Sequence, residues 1–197
     1  MQRAADGSLR LLRGDRLIAT ARSAPVVTRE MARPTLAEAQ AAARRSFPAS
    51  AHPVPGCFVC GPERAEHDGL RLHVAPLDAE DKAWQGPLAC PWFPYQDLAD
   101  DAGYVRSEFV WSALDCPTAY ACGSADGMPL ILLGRQTVEI NRLPRAGEQC
   151  IVVAQSRGAE GRKHFADACL YGADGERIAS GNAIWISVSA EVLKGNA

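Results

Sequence analysis

Between residues 107 and 121 the apolar positions recur at helical spacing. Phe109, Ala113 and Leu114 fall on one side, and Trp111 broadens the apolar surface, so this stretch predicts a buried helix. Downstream the pattern changes to strand-like runs bounded by turn chemistry, predicting four strands over 130–141, 149–155, 164–171 and 177–188. Their connections are Pro144-Arg145-Ala146-Gly147, Arg157-Gly158-Ala159-Glu160-Gly161 and Ala173-Asp174-Gly175. Upstream, Leu70-Arg71-Leu72-His73-Val74 alternates as a strand does, and Ala83-Trp84-Gln85-Gly86 reads as a second, irregular one. The order strand, strand, helix, four hairpin-linked strands is satisfied by an α+β domain in which an antiparallel sheet wraps around one long central helix.

The first fifty residues follow a different pattern. Two apolar runs, Leu9-Arg10-Leu11-Leu12 and Leu17-Ile18-Ala19-Thr20-Ala21, flank a Gly14-Asp15 turn and read as a hairpin. Pro34-Thr35-Leu36-Ala37-Glu38 opens an alanine-rich helix with Thr35 as N-cap and Glu38 completing a capping box. Pro48, Pro53 and Pro55 then mark a linker, dividing the chain into a hairpin-plus-helix extension over 1–50 and a main domain over 56–190.

Composition narrows the function classes. The chain has 197 residues, 47% of them apolar, which is enough for a full core. A net charge of −2 gives no electrostatic case for nucleic acid or an anionic membrane. No apolar run reaches the roughly 20 residues of a membrane span, and the N-terminus lacks a signal-peptide core, so a cytoplasmic location is expected. The seven cysteines are odd in number and scattered among apolar residues, and read as reduced, mostly buried thiols.

The acid within the apolar helix, Asp115, is the leading catalytic candidate. A buried carboxylate costs several kcal/mol unless it is paired, hydrogen-bonded or protonated, and such acids cluster at functional sites. Its alternative is a helix-end acid, Pro117 lying two residues on. Glu108 is a second acid on the same face, about 10 Å away along the helix, or else a first-turn acid favoured by the dipole. Cys57 and Cys60 form a lone CxxC, which with His67 and His73 would make four zinc-type ligands. The short interval to His67 and the place of His73 in an alternating strand favour a tight turn with buried thiols, and no metal or cofactor is expected. Arg135, Arg142, Arg145, Arg162 and Lys163 lie near strand ends as candidate phosphate contacts, Arg162-Lys163 foremost. Trp92, Phe93 and Tyr95, in a Pro- and Asp-rich loop over 91–103, are candidate lid residues, and Trp111 a candidate acyl-chain wall.

Cys57-Phe58-Val59-Cys60-Gly61 followed by Gly69-Leu70, the helix Trp111-Ser112-Ala113-Leu114-Asp115, the strand from Gly134 to Ile140 and the turn Leu143-Pro144-Arg145-Ala146-Gly147-Glu148 together resemble the PaaI-like branch of the hotdog-fold acyl-CoA thioesterases. The resemblance covers about residues 56–188. It implies thioester hydrolysis on acyl-CoA, with Asp115 as base or nucleophile and the backbone amides of Glu108 or Phe109 as oxyanion donors. Arg162, Lys163 and Arg135 would meet coenzyme A, and Trp111 and Trp92 the acyl group. It also implies side-by-side pairing into a homodimer or homotetramer. Many members carry His-Gly-Gly where this chain has Ser107-Glu108-Phe109. That departure keeps a second function in view, a non-catalytic acyl-CoA or lipophilic-ligand binding protein on the same fold.

Overall fold

The computed structural model describes residues 1–27, 29–189 and 191. Six strands form one antiparallel sheet: β4 (Ala75–Pro76), β5 (Leu88–Trp92), β7 (Cys150–Glu160), β8 (Lys163–Gly172), β9 (Arg177–Ser187) and β6 (Ile131–Ile140), adjacent in that spatial order. A separate three-stranded sheet, β1 (Gln2–Arg3), β2 (Leu9–Arg13) and β3 (Arg16–Ala21), turns at Gly14-Asp15 and is largely exposed.

The large sheet carries apolar residues on both faces, which is why its central strands read as near-continuous apolar runs. Val152, Ala154, Ala166, Ala168, Leu170 and Ala179 belong to the inner core with Val110, Leu114 and Tyr120. Their alternating neighbours Ile151, Val153, Cys169 and Tyr171 face the other way and pack on Met31 and Ala39. Ala39 belongs to α1 (Leu36–Ala43), whose capping box is formed: Thr35 Oγ1 accepts from the Glu38 amide, and Glu38 accepts from the Thr35 amide. The extension thus lies against the outer face of the sheet. Phe47 continues past the edge into the inner core, where its ring stacks on Tyr120 at 4.7 Å and on Trp84 at 5.6 Å.

The central helix is not one long element. It is two short ones, α2 (Ser107–Ala113) and α3 (Cys116–Tyr120), separated at Leu114-Asp115. Asp115 leaves helical geometry, with φ −83° and ψ −86°. The cause is Pro117, which has no N–H for the Ala113 carbonyl and whose ring crowds that carbonyl in a continuous helix. Two strand expectations also shift. Leu70, Leu72 and Val74 are buried in alternation as expected, but Arg71 sits at φ +51°. Leu70 and Leu72 donate instead to the carbonyls of Phe58 and Val59. The segment 83–86 is a turn, whose Gln85 and Gly86 amides donate to Asp81, and the strand itself begins at Leu88. Among the described residues no helix is long and apolar enough to cross a membrane.

Candidate active site

The break in the helix sets the site. The backbone of Asp115 is tied on both sides: its amide donates to the Ser112 carbonyl at 3.1 Å, and its carbonyl accepts from the Thr118 amide at 2.9 Å and the Thr118 hydroxyl at 2.6 Å. The hydroxyl in turn accepts from Trp185 Nε1 at 2.8 Å, across the core from β9. Among the described residues Oδ1 of Asp115 is buried without a hydrogen-bond partner. Burial, then the nearby Cys57, lifts the carboxyl from its usual range to about 6. A backbone held in place beneath an unsatisfied carboxylate is an arrangement that can accept a proton from water or attack a carbonyl carbon.

Cys116, the next residue, brings a third thiol to the CxxC. Its sulfur lies 3.6 Å from that of Cys57, and the sulfurs of Cys57, Cys60 and Cys116 all lie within 4.8 Å of one another. His52 Nε2 lies 3.3 Å from the Cys60 sulfur. Neither His67 nor His73 joins this group. His67 is exposed with its ring edge-on to Tyr95, and His73 Nε2 meets the Cys60 carbonyl at 3.1 Å rather than a thiol.

The remaining sequence candidates separate. Glu108 is exposed and paired with Arg106 at 3.5 Å. Phe109 cannot offer its amide freely, because that N–H donates to the Arg106 carbonyl at 3.0 Å. Its ring packs on Phe58 and under the Arg106 guanidinium. Trp92 is a core residue on β5, 2% exposed, and so forms no part of a lid; Phe93 beside it is exposed. Trp111 is 39% exposed on α2, with its carbonyl accepting from Gln136 Nε2 at 3.0 Å. Arg135, one residue before Gln136, lines a cleft with Trp111 and the N-terminal hairpin, and borders a second one. That second cleft, of about 410 Å³, is also lined by Arg157, Asp167 and Asn182. Arg162 and Lys163 are exposed at the β7–β8 hairpin, where Gly161 takes φ +57°.

Sequence reasoning missed Cys116, Thr118 and His52. Cys116 and Thr118 sit inside the apolar helix pattern as core residues do, and their partners are distant in the chain.

Solved structures compare with this arrangement as a whole. The crystal structure of a thioesterase superfamily protein matches with a TM-score of 0.55 at 14% identity, over 66% of this chain and 60% of the other. The chain has the hotdog fold. The PaaI protein from the phenylacetic acid degradation operon of E. coli matches with a TM-score of 0.48 at 16% identity, over 52% of this chain and 73% of that one. A thioesterase of Thermus thermophilus, complexed with coenzyme A and zinc, gives 0.45 at 14%, over 52% and 79%. No sequence-family model and no curated protein matches the chain.

Proposed function

We propose that this hotdog chain is an acyl-CoA thioester hydrolase with Asp115 as its base or nucleophile. The observation that carries the reading is the Oδ1 atom of Asp115, buried and unpartnered at the α2–α3 break. As a base, the carboxylate takes a proton from water as the oxygen attacks the thioester carbonyl. The tetrahedral intermediate then collapses, the coenzyme A thiolate leaves, and it recovers a proton to become the free thiol. The developing oxyanion is assigned to the Glu108 amide, since that of Phe109 is engaged. Glu108 lies in the first turn of α2 and Asp115 just beyond its last, a helix length of roughly 10 Å apart, farther than one carbonyl spans. A site completed across a pair of chains resolves this, and it fits a homodimer or homotetramer. Arg162 and Lys163, free of the core at a hairpin tip, are assigned to the coenzyme A phosphates.

The test is thiol release from short, long and aromatic acyl-CoAs, comparing wild type with Asp115→Asn. Turnover reduced at least about a hundredfold in the variant, with acyl-CoA affinity kept, is expected. Acyl-CoA binding without turnover in either protein would instead make the chain a binding protein on this fold, the function that the Ser107-Glu108-Phe109 entrance favours.

A further inference from the structure

The CxxC does not close on a histidine downstream, as a zinc-type pairing in sequence would have it. It closes on Cys116, 59 residues away in the chain and next to Asp115. Three features mark the cluster as a built ligand set. The first is convergence: three sulfurs lie within 4.8 Å of one another, with one pair at 3.6 Å. Two sulfurs on a tetrahedral ion, each about 2.3 Å from it, stand about 3.8 Å apart, so small rotations of the side chains bring all three onto one centre.

The second is the loop that presents them. Residues 57–61 fold into a tight turn closed by the Gly61 amide donating to the Cys57 carbonyl at 2.8 Å. A Cβ at Gly61 would collide with the Pro55 carbonyl and the backbone of Cys57, so only glycine lets the turn close. The turn holds Cys57 and Cys60 at its two ends, so that both sulfurs face Cys116 on the same side.

The third is His52. Its Nδ1 accepts from the Val54 amide at 3.1 Å, which places the proton of the neutral ring on Nε2. That N–H then points at the Cys60 sulfur, 3.3 Å away, and fixes its direction. The side chains around the three sulfurs include the His52 imidazole, the Asp115 carboxyl and the Tyr120 phenol.

We propose that Cys57, Cys60 and Cys116 bind a thiophilic divalent metal ion of the zinc class. Three thiolates, a soft donor set, favour that class over magnesium or calcium. Among the described residues no fourth side chain joins the three sulfurs within the same reach, His52 meeting Cys60 alone. The ion ties the loop 57–61 to the first turn of α3 and thereby positions Asp115, one residue from a ligand. Cys57, only partly buried, provides the way in; Cys60 and Cys116 are buried behind it.

Only the positioning of Asp115 rests on the thioesterase reading; metal binding itself does not, and its test reads no turnover. The full chain, purified reduced, is assayed for bound metal, stripped with a chelator and titrated with Co(II). The expected result is about one zinc-class ion per chain and, on titration, a near-ultraviolet sulfur-to-cobalt charge-transfer band with visible bands of tetrahedral cobalt. Cys57→Ser, Cys60→Ser and Cys116→Ser each should remove about a third of the charge-transfer intensity and weaken Co(II) binding at least about tenfold. Cys122→Ser, a thiol outside the cluster, should leave both unchanged. Alkylation with mass mapping on the wild type keeps the test independent of variant folding: metal should protect Cys57, Cys60 and Cys116 together. Metal-free protein that shows no charge-transfer band with excess Co(II), or a Cys57–Cys116 disulfide in protein purified under reducing conditions, would overturn the proposal.

Discussion

Thr118 shows how one polar residue can hold a site without touching substrate. It is fully buried, accepts from the Trp185 indole and donates to the Asp115 carbonyl. Thr118→Val is nearly isosteric and leaves a buried indole N–H and a buried carbonyl each short of a partner. A loss of about 1–3 kcal/mol is expected in urea denaturation, together with reduced thiol release as the Asp115 backbone loosens. A variant as stable as wild type would show that the bridge does not anchor the acid. Sequence alone singled out Asp115, because a carboxylate in an apolar helix is an anomaly in any pattern. Thr118 and Cys116 were silent for the opposite reason. A threonine and a cysteine suit a buried helix face, and only the fold brings Trp185 and Cys57 to them.

At the scale of elements, strands were more legible than the helix. β6 to β9 are bounded by turns whose Gly, Pro and Asp residues have local conformational demands, so their limits can be read locally. The helix break depends on Pro117, whose presence in the sequence signals an interruption but not where the displaced residue will point. Leu70, Leu72 and Val74 kept the burial that alternation implied yet formed no strand, because the CxxC loop took their amides in place of a neighbouring strand. One inter-element contact carries a pH prediction. Arg142, just after β6, pairs with Glu148 before β7 at 2.7 Å and with Glu176 before β9 at 2.8 Å, tying adjoining turns. Burial would raise the Glu148 carboxyl, but hydrogen bonds from Arg142 and from the Arg145 amide outweigh it and hold the folded value below the ordinary 4.5. A depressed folded value means that the stabilisation is complete above the unfolded value and is lost as pH falls through the folded one. The gap in urea midpoint between wild type and Glu148→Gln should be widest near neutral pH and close as pH drops below 4.5. A gap independent of pH would remove the ion pair as its cause.

For the whole molecule, the sheet is covered on the inner face by α2 and α3 and, on the outer face of β5, β7 and β8, by the N-terminal extension, but among the described residues no strand pairs with its β6 edge. Leu132 and Leu133 on that edge are 45% and 40% exposed. An apolar unpaired edge is a template for a second strand, and pairing there is the arrangement on which the proposed two-chain site depends. Wild type should sediment as a dimer or a multiple of one, and Leu132→Glu should shift it toward monomer with loss of thiol release. A monomeric wild type would separate the acid from its assigned oxyanion donor and sink that part of the mechanism.

The uneven burial of the four indoles makes the chain its own reporter. Trp84, Trp92 and Trp185 are 2%, 2% and 7% exposed, whereas Trp111 on α2 is 39% exposed. Acrylamide should therefore quench a single red-shifted emission component and spare the rest, and Trp111→Phe should abolish the quenchable fraction. Emission from this one ring then follows the helix entrance in real time, so that chain pairing or acyl-CoA binding over α2 becomes a blue shift that can be titrated without any label.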